Sequence, residues 1–283
     1  MSWMPYRVVF RLCSPLHVGW KKTGNLKMTR GYVTGRILWA ALTARLTRDH
    51  GKGADRESYV EIGEKLKEFF RFGYFYPGLP KNLGRKVKTA KDLDVHYPWK
   101  DKFFDYRFKG SYASTALDYS FRSALDGSLH ETEYLRTYTR PINAPTLPVY
   151  LMGEIYVEKS ANNEEILKNW EDALDRLQLG AERRYGWGKV ELVSCCSLDA
   201  KSDHNPEMTL DKGEAIAAHA LGDNLSEFLS GQVEPLVGWE RANHVPGMTW
   251  ALHEPIICYA PGSRLIKKMK FNIMPFGQFL PAG

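Results

Sequence analysis

Apolar residues recur with strand and helix periods along the first part of the chain, and this pattern predicts its elements. Residues 6–12 alternate as a β-strand does, and residues 34–49 repeat apolar positions at helical spacing. The same reading predicts a helix over 58–70, strands over 70–76 and 147–157, a helix over 164–178 and a strand over 189–195. This order predicts an α+β fold with a ferredoxin-like (RRM-like) β-α-β-β-α-β core.

Residues 81–135 do not fit one regular element, and we interpret them as a large insertion between the second and third strands. The run Pro77-Gly78-Leu79-Pro80 is expected to end the strand before it. Lys81–Gly110 carries nine basic and four acidic residues interleaved with six aromatic ones. Six aromatic side chains are more than a solvated, idle loop needs, so a contact surface is expected there.

A polar stretch over 199–206 predicts the boundary between a first domain, residues 1–198, and a β-rich C-terminal subdomain, residues 199–283. In this second part, strands are predicted over 214–222, 232–240, 249–259 and 268–274, with a short helix-like segment over 224–229. The turn Ala260-Pro261-Gly262-Ser263 is expected to form a hairpin.

The run Leu-Gly-Ala-Glu-Arg-Arg-Tyr-Gly-Trp-Gly-Lys-Val over 179–190 is the strongest local motif, and we call it the glycine-rich loop. Arginine fits phosphate, aromatic rings stack on bases, and glycine lets a backbone approach closely. We therefore predict RNA contacts, with the loop contributing Gly180, Arg183, Arg184, Tyr185, Gly186, Trp187, Gly188 and Lys189. The alternative is a loop whose aromatics pack inward and whose arginines face solvent. A nucleotide cofactor is not expected, because a helix precedes this loop and a strand follows it.

Charge is unevenly distributed. The formal net charge is +6, yet residues 1–50 hold nine Lys and Arg against one acid, whereas residues 201–283 hold seven basic and nine acidic residues. Such a concentrated patch predicts a polyanion partner, with a solvated basic face as the alternative.

Other compositional features narrow the class of protein. The four cysteines have no C-x-x-C spacing, which argues against a zinc site or a disulfide framework and favours the cytoplasm. No apolar run approaches ~20 residues and no signal-peptide pattern opens the chain, so no membrane is expected.

Further basic candidates lie outside the glycine-rich loop. Lys21, Lys22, Lys27 and Arg30 fall in a predicted loop over 19–30. Gly35 and Arg36 open the first helix, where free N–H groups and the helix dipole favour phosphate. Arg136 and Arg140 would share one face of an extended segment, either as a second RNA-binding row or as charges protecting a strand edge.

Several of these segments resemble the RAMP (repeat-associated mysterious protein) superfamily of CRISPR effector subunits. Val8–Gly19 looks like the first strand and turn of that fold, and Gly31–Leu42 is similar to its next segment. Arg136–Pro141, leading into the third strand, and the glycine-rich loop follow in the expected order. Together these pieces cover most of residues 6–195.

The resemblance implies a guide-RNA-binding structural subunit of a multisubunit, type III-like CRISPR ribonucleoprotein in antiviral defence. It also implies that the start of the first helix and the glycine-rich loop lie close together and flank the guide strand. Other effector subunits would be partners, target RNA is a further candidate, and no cofactor or metal is expected. The insertion would either grip the guide–target duplex like a thumb or contact another protein.

The resemblance leaves a second function open: a metal-independent endoribonuclease that processes the guide precursor, with His17 or Tyr32 in the chemistry. A lone histidine after a strand is more often structural. Family members that cleave target RNA use an aspartate in the loop over 19–30, and here that loop contains no acid. Asp101 and Asp105 of the insertion could substitute, although acids in basic segments usually balance charge.

Overall fold

The computed structural model of the protein describes residues 2–50, 55–142, 145–198, 205–240, 251–252 and 255–282. Up to residue 198 the elements are β1 (Trp3–Leu12), β2 (Gly19–Thr23), β3 (Leu26–Thr29), α1 (Gly35–Asp49), α2 (Arg56–Phe69), β4 (Phe70–Phe72), β5 (Tyr76–Pro80), β6 (Leu93–Val95), α3 (Phe104–Phe108), β7 (Lys109–Ser114), β8 (Leu117–Asp118), β9 (Ser123–Ala124), β10 (His130–Leu135), β11 (Tyr150–Glu158), α4 (Trp170–Leu174) and β12 (Val190–Ser197). Beyond residue 204 they are β13 (Glu207–Leu210), β14 (Leu229–Ser230), β15 (Val233–Leu236), β16 (Trp239–Glu240), β17 (Ala251–Leu252), β18 (Ile256–Tyr259), β19 (Arg264–Leu265), β20 (Met269–Ile273) and β21 (Phe279–Pro281).

The largest sheet has the strand order β12-β1-β11-β5-β6, and β4 also pairs with β11. Every pairing in it is antiparallel. Helices α1 and α2 connect β1 to β4 and β5, and α4 lies on the connection from β11 to β12. The fold is therefore of the mixed α+β class, as the sequence predicts, and its main sheet is antiparallel.

Strand β1 is buried on both faces because its side chains alternate between two apolar clusters. Val8 and Phe10 pack in the main core, which also contains Leu42 of α1. Val9 faces the other way, into a smaller cluster with Leu93 from the segment after β5. With Phe10 and Val9 both fully buried, β1 is fixed in register between β11 and β12.

The helix predicted over 164–178 is wrong in extent. The structure has 3-10 turns at Lys159–Asn163 and Glu165–Leu167, and α4 spans only Trp170–Leu174. The apolar spacing that suggested one helix does mark buried positions, since Leu167 and Leu174 are both fully buried. Apolar spacing reports which side chains face the core, and short helical turns satisfy it as well as one long helix does.

Two segments expected to be irregular are strands. The loop predicted over 19–30 is the hairpin β2–β3, which turns at Gly24, where φ is +57°. Pro77-Gly78-Leu79-Pro80 lies within β5 and pairs with β11, in the register Gly78 opposite Tyr150. Proline removes one N–H donor, but its fixed φ is compatible with an extended backbone, so these residues do not break the strand.

A second sheet, of order β2-β3-β10-β7, joins the basic hairpin to the residues interpreted as an insertion. Strands β7 and β10 pair over Lys109–Ser114 and His130–Leu135, and the small β8–β9 ladder lies between them. We call residues 109–135 the insertion hairpin. Its exposed large apolar side chains are Tyr112, Leu117, Tyr119, Phe121, Leu125 and Leu129.

The C-terminal part is built from short strands. The strand predicted over 268–274 is confirmed as β20, whereas residues 214–222 make only single bridges, at Ala215 and Ala220. The turn over 260–263 forms, with the Ser263 N–H donating to Ala260 at 3.1 Å. Its two flanking strands pair with β15 and β14 rather than with each other, so no hairpin results.

Other expectations for this part meet the structure only in places. The strand predicted over 232–240 is β15 and β16, and the helix-like piece is a 3-10 turn at Leu225–Glu227. Residues 199–204 of the predicted boundary, and 249, 250, 253 and 254 of the predicted strand over 249–259, lie outside the described residues.

A second apolar cluster fastens the C-terminal part to the main sheet. It contains Tyr32, Tyr74 and Tyr76 from the first part and Ile216 and Phe271 from the second. Within this cluster Tyr32 stacks on Tyr74 with ring centroids 5.6 Å apart, and the Tyr76 hydroxyl donates to the Ala217 carbonyl at 2.6 Å. Among the described residues, no helix combines the length and apolar character that crossing a membrane requires.

Candidate RNA-binding site

The glycine-rich loop closes on itself through the bridge between Gln178 and Lys189. Gly188 has φ of +79°, and a Cβ there would lie 1.8 Å from the Leu179 carbonyl oxygen. Only glycine can occupy such a position. Gly186 also has a positive φ, +80°, but a Cβ there would meet no atom within 4 Å. The two glycines are therefore required for different reasons.

The loop is hydrogen-bonded to the segment that follows β1. The Ala181 N–H donates to the His17 carbonyl at 3.0 Å, and the Gly188 N–H donates to Pro15 at 2.7 Å. A Cβ at Gly180, whose φ is +71°, would lie 2.3 Å from the His17 carbonyl oxygen. The segment that follows β1 and the glycine-rich loop are thus joined by backbone hydrogen bonds.

Within the loop, Gln178 fixes the conformation of the tip. Its side-chain amide donates to the carbonyls of Arg183 at 2.9 Å and Trp187 at 2.8 Å. Between these two anchors, residues Arg183–Tyr185 form a 3-10 turn. Sequence reasoning did not single out Gln178, because it lies in what was predicted to be a helix and belongs to no motif.

The tip presents its charged and aromatic groups to solvent. Arg183, Arg184 and Lys189 are exposed, and Tyr185 is 75% exposed. Trp187 differs, because it is half-buried against the insertion hairpin, with its ring 5.2 Å from that of Tyr134. The arginines and Tyr185 are therefore available to a ligand, while Trp187 also serves packing.

Two cavities flank the loop. One, of about 340 Å³, lies between the loop and the insertion hairpin and is lined by Tyr112, Tyr185 and Trp187. The other, of about 200 Å³, lies between the loop and α1 and is lined by residues that include His17, Ile37 and Arg183. The early turns of α1 and the glycine-rich loop therefore face each other across one cleft.

His17 is buried between these elements and is only 5% exposed. Its Nδ1 lies 2.7 Å from the Glu133 carbonyl oxygen of β10. Burial lowers the pKa of His17 below its ordinary value, and this outweighs the opposing hydrogen bond to Glu133 and the charge of Glu182. The imidazole is therefore neutral at neutral pH.

The structure does not support RNA contacts by Arg30, which is only 6% exposed. Its guanidinium pairs with the Glu234 carboxylate at 2.5 Å and donates to the Tyr32 hydroxyl at 3.0 Å. A buried, paired cation cannot meet a phosphate, so the sequence-based prediction for Arg30 is corrected. No local pattern indicates this, because the partner acid lies in the C-terminal part.

The N-terminus of α1 is likewise covered. A Cβ on Gly35 would lie 2.0 Å from the Phe72 carbonyl oxygen and 2.4 Å from that of Phe276. Arg36 places its guanidinium 5.3 Å from the Phe276 ring. Gly35 is thus enclosed by backbone and cannot meet a phosphate, which corrects the prediction for this residue. Arg36 is half-exposed, and its contact with RNA stays a prediction.

The remaining basic candidates lie at the surface. Lys21 and Lys22 are exposed on β2, and the Lys21 ammonium lies 4.3 Å from the Trp20 ring centroid. Arg136 and Arg140 are half-exposed at the base of the insertion, where Arg136 donates to the Tyr138 carbonyl at 3.2 Å. These four form a dispersed basic surface.

Part of the basic N-terminal block is neutralised by acids elsewhere in the fold. Lys27 pairs with Glu182 at 3.1 Å, and Arg7 pairs with Glu154. In the insertion, Asp101 pairs with Arg107 at 3.0 Å. Asp105 pairs with Lys109, so both insertion acids balance charge. Within the described residues, no group of three or more His, Cys, Asp or Glu side chains is placed to hold a metal ion.

Comparisons with solved structures show which proteins have a similar fold. The chain is similar to a subunit in the structure of the type III-B Cmr-beta complex bound to cognate target RNA and AMPPnP, with 13% identity, a TM-score of 0.51, and coverage of 92% of this chain and 85% of the other. A second chain, from Cmr-beta bound to cognate target RNA, has 13% identity and a TM-score of 0.47, with coverage of 92% and 86%. No curated protein matches in sequence.

A comparison of the sequence with protein families finds a family whose match includes the motifs that meet at this site. The profile of the RAMP superfamily matches residues 9–191. The matched range begins within β1 and ends in β12, just after the glycine-rich loop, so it includes both motifs that the structure connects. Because this range covers most of the chain, the protein belongs to the RAMP superfamily.

Proposed function

We propose that the protein is a guide-RNA-binding structural subunit of a multisubunit, type III-like CRISPR ribonucleoprotein in antiviral defence. Membership in the RAMP superfamily and the similarity in fold to a chain of the Cmr-beta complex support this assignment. Other effector subunits and target RNA would be its partners.

The observation that carries the proposal is the position of the glycine-rich loop. Its tip holds Arg183, Arg184 and Tyr185 in solvent, between two cavities whose far walls belong to α1 and the insertion hairpin. Arginine fits phosphate and tyrosine stacks on bases, and neither contact depends on sequence. A strand of RNA crossing the loop would be held by its backbone, leaving specificity to base pairing.

We also propose how the chain is organised around this site. Strands β12, β1, β11 and β5, with the helices that connect them, would constitute the ferredoxin-like core. Residues 1–198 would form the RNA-binding domain, with residues 81–135 as its insertion, and 199–283 the β-rich C-terminal subdomain. The proposed contacts are Lys21, Lys22, Arg136, Arg140, Arg183, Arg184, Tyr185 and Lys189, with Gly180, Gly186, Gly188 and Trp187 shaping the loop.

The structure gives little support to an endoribonuclease that uses Tyr32. This side chain is 8% exposed, and its hydroxyl accepts from Arg30. Burial raises the pKa of Tyr32 far above its ordinary value. A phenol in this environment neither reaches RNA nor gives up its proton, which leaves His17 as the residue to test for cleavage.

Binding of a labelled repeat-containing RNA in EDTA, over a range of salt concentrations, tests the proposal. The variant Arg183→Ala/Arg184→Ala should bind about tenfold or more weakly, and its salt slope should fall by roughly 1.5, because two phosphate contacts are lost. The control Lys212→Ala/Lys268→Ala removes two exposed cations from the C-terminal part.

Equal losses in both variants, or no RNA binding by the wild type, would contradict a site at the loop. A gel of the same reactions reports cleavage. A single cut in EDTA that disappears in His17→Ala would replace the proposal with the processing nuclease.

A further inference from the structure

The cavity between α1 and the glycine-rich loop has two chemically different walls. On the α1 side it is lined by Ile37, Ala40 and Ala41, which are aliphatic, and among the described residues that line it the only aromatic ring is the imidazole of His17. The opposite wall includes Gln178 and the loop residues Gly180, Ala181 and Arg183. At about 200 Å³ it is smaller than the aromatic cavity on the other side of the loop.

The hydrogen bond of His17 fixes which ring nitrogen carries the proton. The Glu133 carbonyl oxygen, 2.7 Å from Nδ1, can only accept, so Nδ1 must donate. Burial keeps the ring neutral by lowering its pKa. The second nitrogen, Nε2, therefore has a free lone pair and acts as a hydrogen-bond acceptor.

Nε2 lies on the side of the ring that faces Gly19. A Cβ built on Gly19 would be 3.8 Å from Nε2, and both residues line the cavity. The ring itself is held in place, because Nδ1 is bonded to Glu133 and the His17 carbonyl accepts from Ala181. A side chain that is 5% exposed thus holds a fixed acceptor on the Gly19 side of the ring, at a cavity that both residues line.

We propose that this cavity is a ribose subsite in which Nε2 of His17 accepts a hydrogen bond from the 2′-hydroxyl, so that His17 selects RNA over DNA. The aliphatic wall suits the C–H groups of the sugar, whereas nothing in it would stack on a base. Arg183 lines the same cavity, and its guanidinium would bind the adjoining phosphate. The 2′-hydroxyl is the donor that RNA has and DNA lacks. This inference rests on the proposed function, since it assumes that RNA crosses the loop.

Deoxyribose in the subsite would leave the buried acceptor without a partner, which disfavours binding. We therefore expect the wild type to bind RNA about tenfold more tightly than the same sequence carrying 2′-fluoro groups. Fluorine retains the sugar pucker of RNA but cannot donate a hydrogen bond, so this pair of ligands separates the bond from the shape of the strand. DNA should bind at least as weakly as the 2′-fluoro strand.

Two substitutions separate the acceptor from the structural bond. In His17→Asn the side-chain amide can still donate to the Glu133 carbonyl but is too short to present an acceptor at the position of Nε2. In His17→Gln the longer amide can place its oxygen there. The ratio of RNA to 2′-fluoro affinity should fall to about one or two in the Asn variant and recover in the Gln variant. In His17→Asn the 2′-fluoro strand should bind at least as tightly as it binds the wild type, because the acceptor that this strand leaves without a partner is gone.

The outcomes distinguish this inference from the function on which it rests. An unchanged ratio in His17→Asn, with binding still dependent on Arg183 and Arg184, would overturn the ribose subsite alone. Equal losses for both strands would assign His17 a purely structural role and also overturn it. If the wild type binds neither strand, the proposed function fails first.

Discussion

The Arg30 guanidinium and the Glu234 carboxylate meet at 2.5 Å in the protein interior, although 204 positions separate them in the chain. Glu234 also accepts hydrogen bonds from His219 and from Trp20, each at 2.7 Å. The residue just after the β2–β3 hairpin is thereby tied to the C-terminal part by one carboxylate with three partners. From this cluster of charged and polar groups we predict how substitution and pH change the free energy of unfolding.

Replacing Glu234 with glutamine should reduce the free energy of unfolding by about 3–5 kcal/mol, because the buried Arg30 cation loses its anion. Urea unfolding followed by tryptophan fluorescence measures the loss. Glu207→Gln is the matched control: its partner Lys270 is 52% exposed, so this change should cost about 1 kcal/mol or less. Similar losses in the two variants would show that the Arg30–Glu234 pair contributes no more than a surface ion pair.

The free energy of unfolding should fall on acidification. The part of this loss that comes from protonation of Glu234 should occur mainly below about pH 4.5. Burial alone would raise the pKa of Glu234, but the His219 hydrogen bond and the Arg30 charge outweigh it and lower this pKa to about 2. Since the folded pKa is below the unfolded one, the contribution is present above about pH 4.5 and is lost as the pH falls toward 2.

Protonation of His219 also lowers the free energy of unfolding, but at higher pH than protonation of Glu234. Burial lowers its pKa below 6.5, so its contribution is present above that pH and declines below it. The groups facing it are Arg30, Tyr32, Tyr74 and Glu234. Urea midpoints measured from pH 7 to pH 3 should fall continuously in the wild type and less steeply below pH 4.5 in Glu234→Gln. Parallel curves would be inconsistent with a depressed pKa at Glu234.

Alanine at Gly188 should be far more damaging than alanine at Gly186. Both glycines have φ near +80°, so each substitution carries a backbone cost of about 1–2 kcal/mol. Only at Gly188 would the added carbon also collide with a carbonyl, at 1.8 Å from Leu179. Urea unfolding and RNA affinity should both be impaired more in Gly188→Ala, and equal effects would mean that the loop closes differently.

The insertion hairpin should tolerate substitution without loss of stability. Tyr119 and Phe121 are 87% and 80% exposed. Tyr119→Ser/Phe121→Ser should therefore change the free energy of unfolding by less than about 0.5 kcal/mol. If these rings grip paired guide and target through apolar contacts with the duplex surface, affinity for an RNA duplex should fall in the double variant, while affinity for single-stranded RNA changes little. Unchanged duplex binding would favour the protein-contact alternative.

The elements that the sequence predicted well are those whose pattern reflects local burial. The predicted helix over 34–49 is confirmed as α1, because a continuous stripe of Leu38, Leu42 and Leu46 faces the core. The prediction of one helix over 164–178 was wrong although the apolar positions in it are buried. Spacing alone does not distinguish an α-helix from successive 3-10 turns.

The site was harder to predict where its chemistry depends on distant residues. The exposure of Arg183 and Arg184 follows from their position at a glycine-rich tip. The burial of Arg30 does not follow from its neighbours in sequence, because its partners Glu234 and His219 come from the C-terminal part. The role of Gln178 is equally invisible, as it depends on where the carbonyls of the folded loop point.

The pairing of β1 has a consequence for the order in which the chain takes shape during synthesis. One neighbour of β1 is β11, in the register Phe10 opposite Leu151, and the other is β12, with Leu12 opposite Val190. Both emerge from the ribosome long after β1 itself. A nascent chain that ends before β12 would leave one edge of β1 bare and open to pairing with other chains. Because Lys189, which closes the glycine-rich loop on Gln178, directly precedes β12, this loop is among the last parts of residues 1–198 to fold.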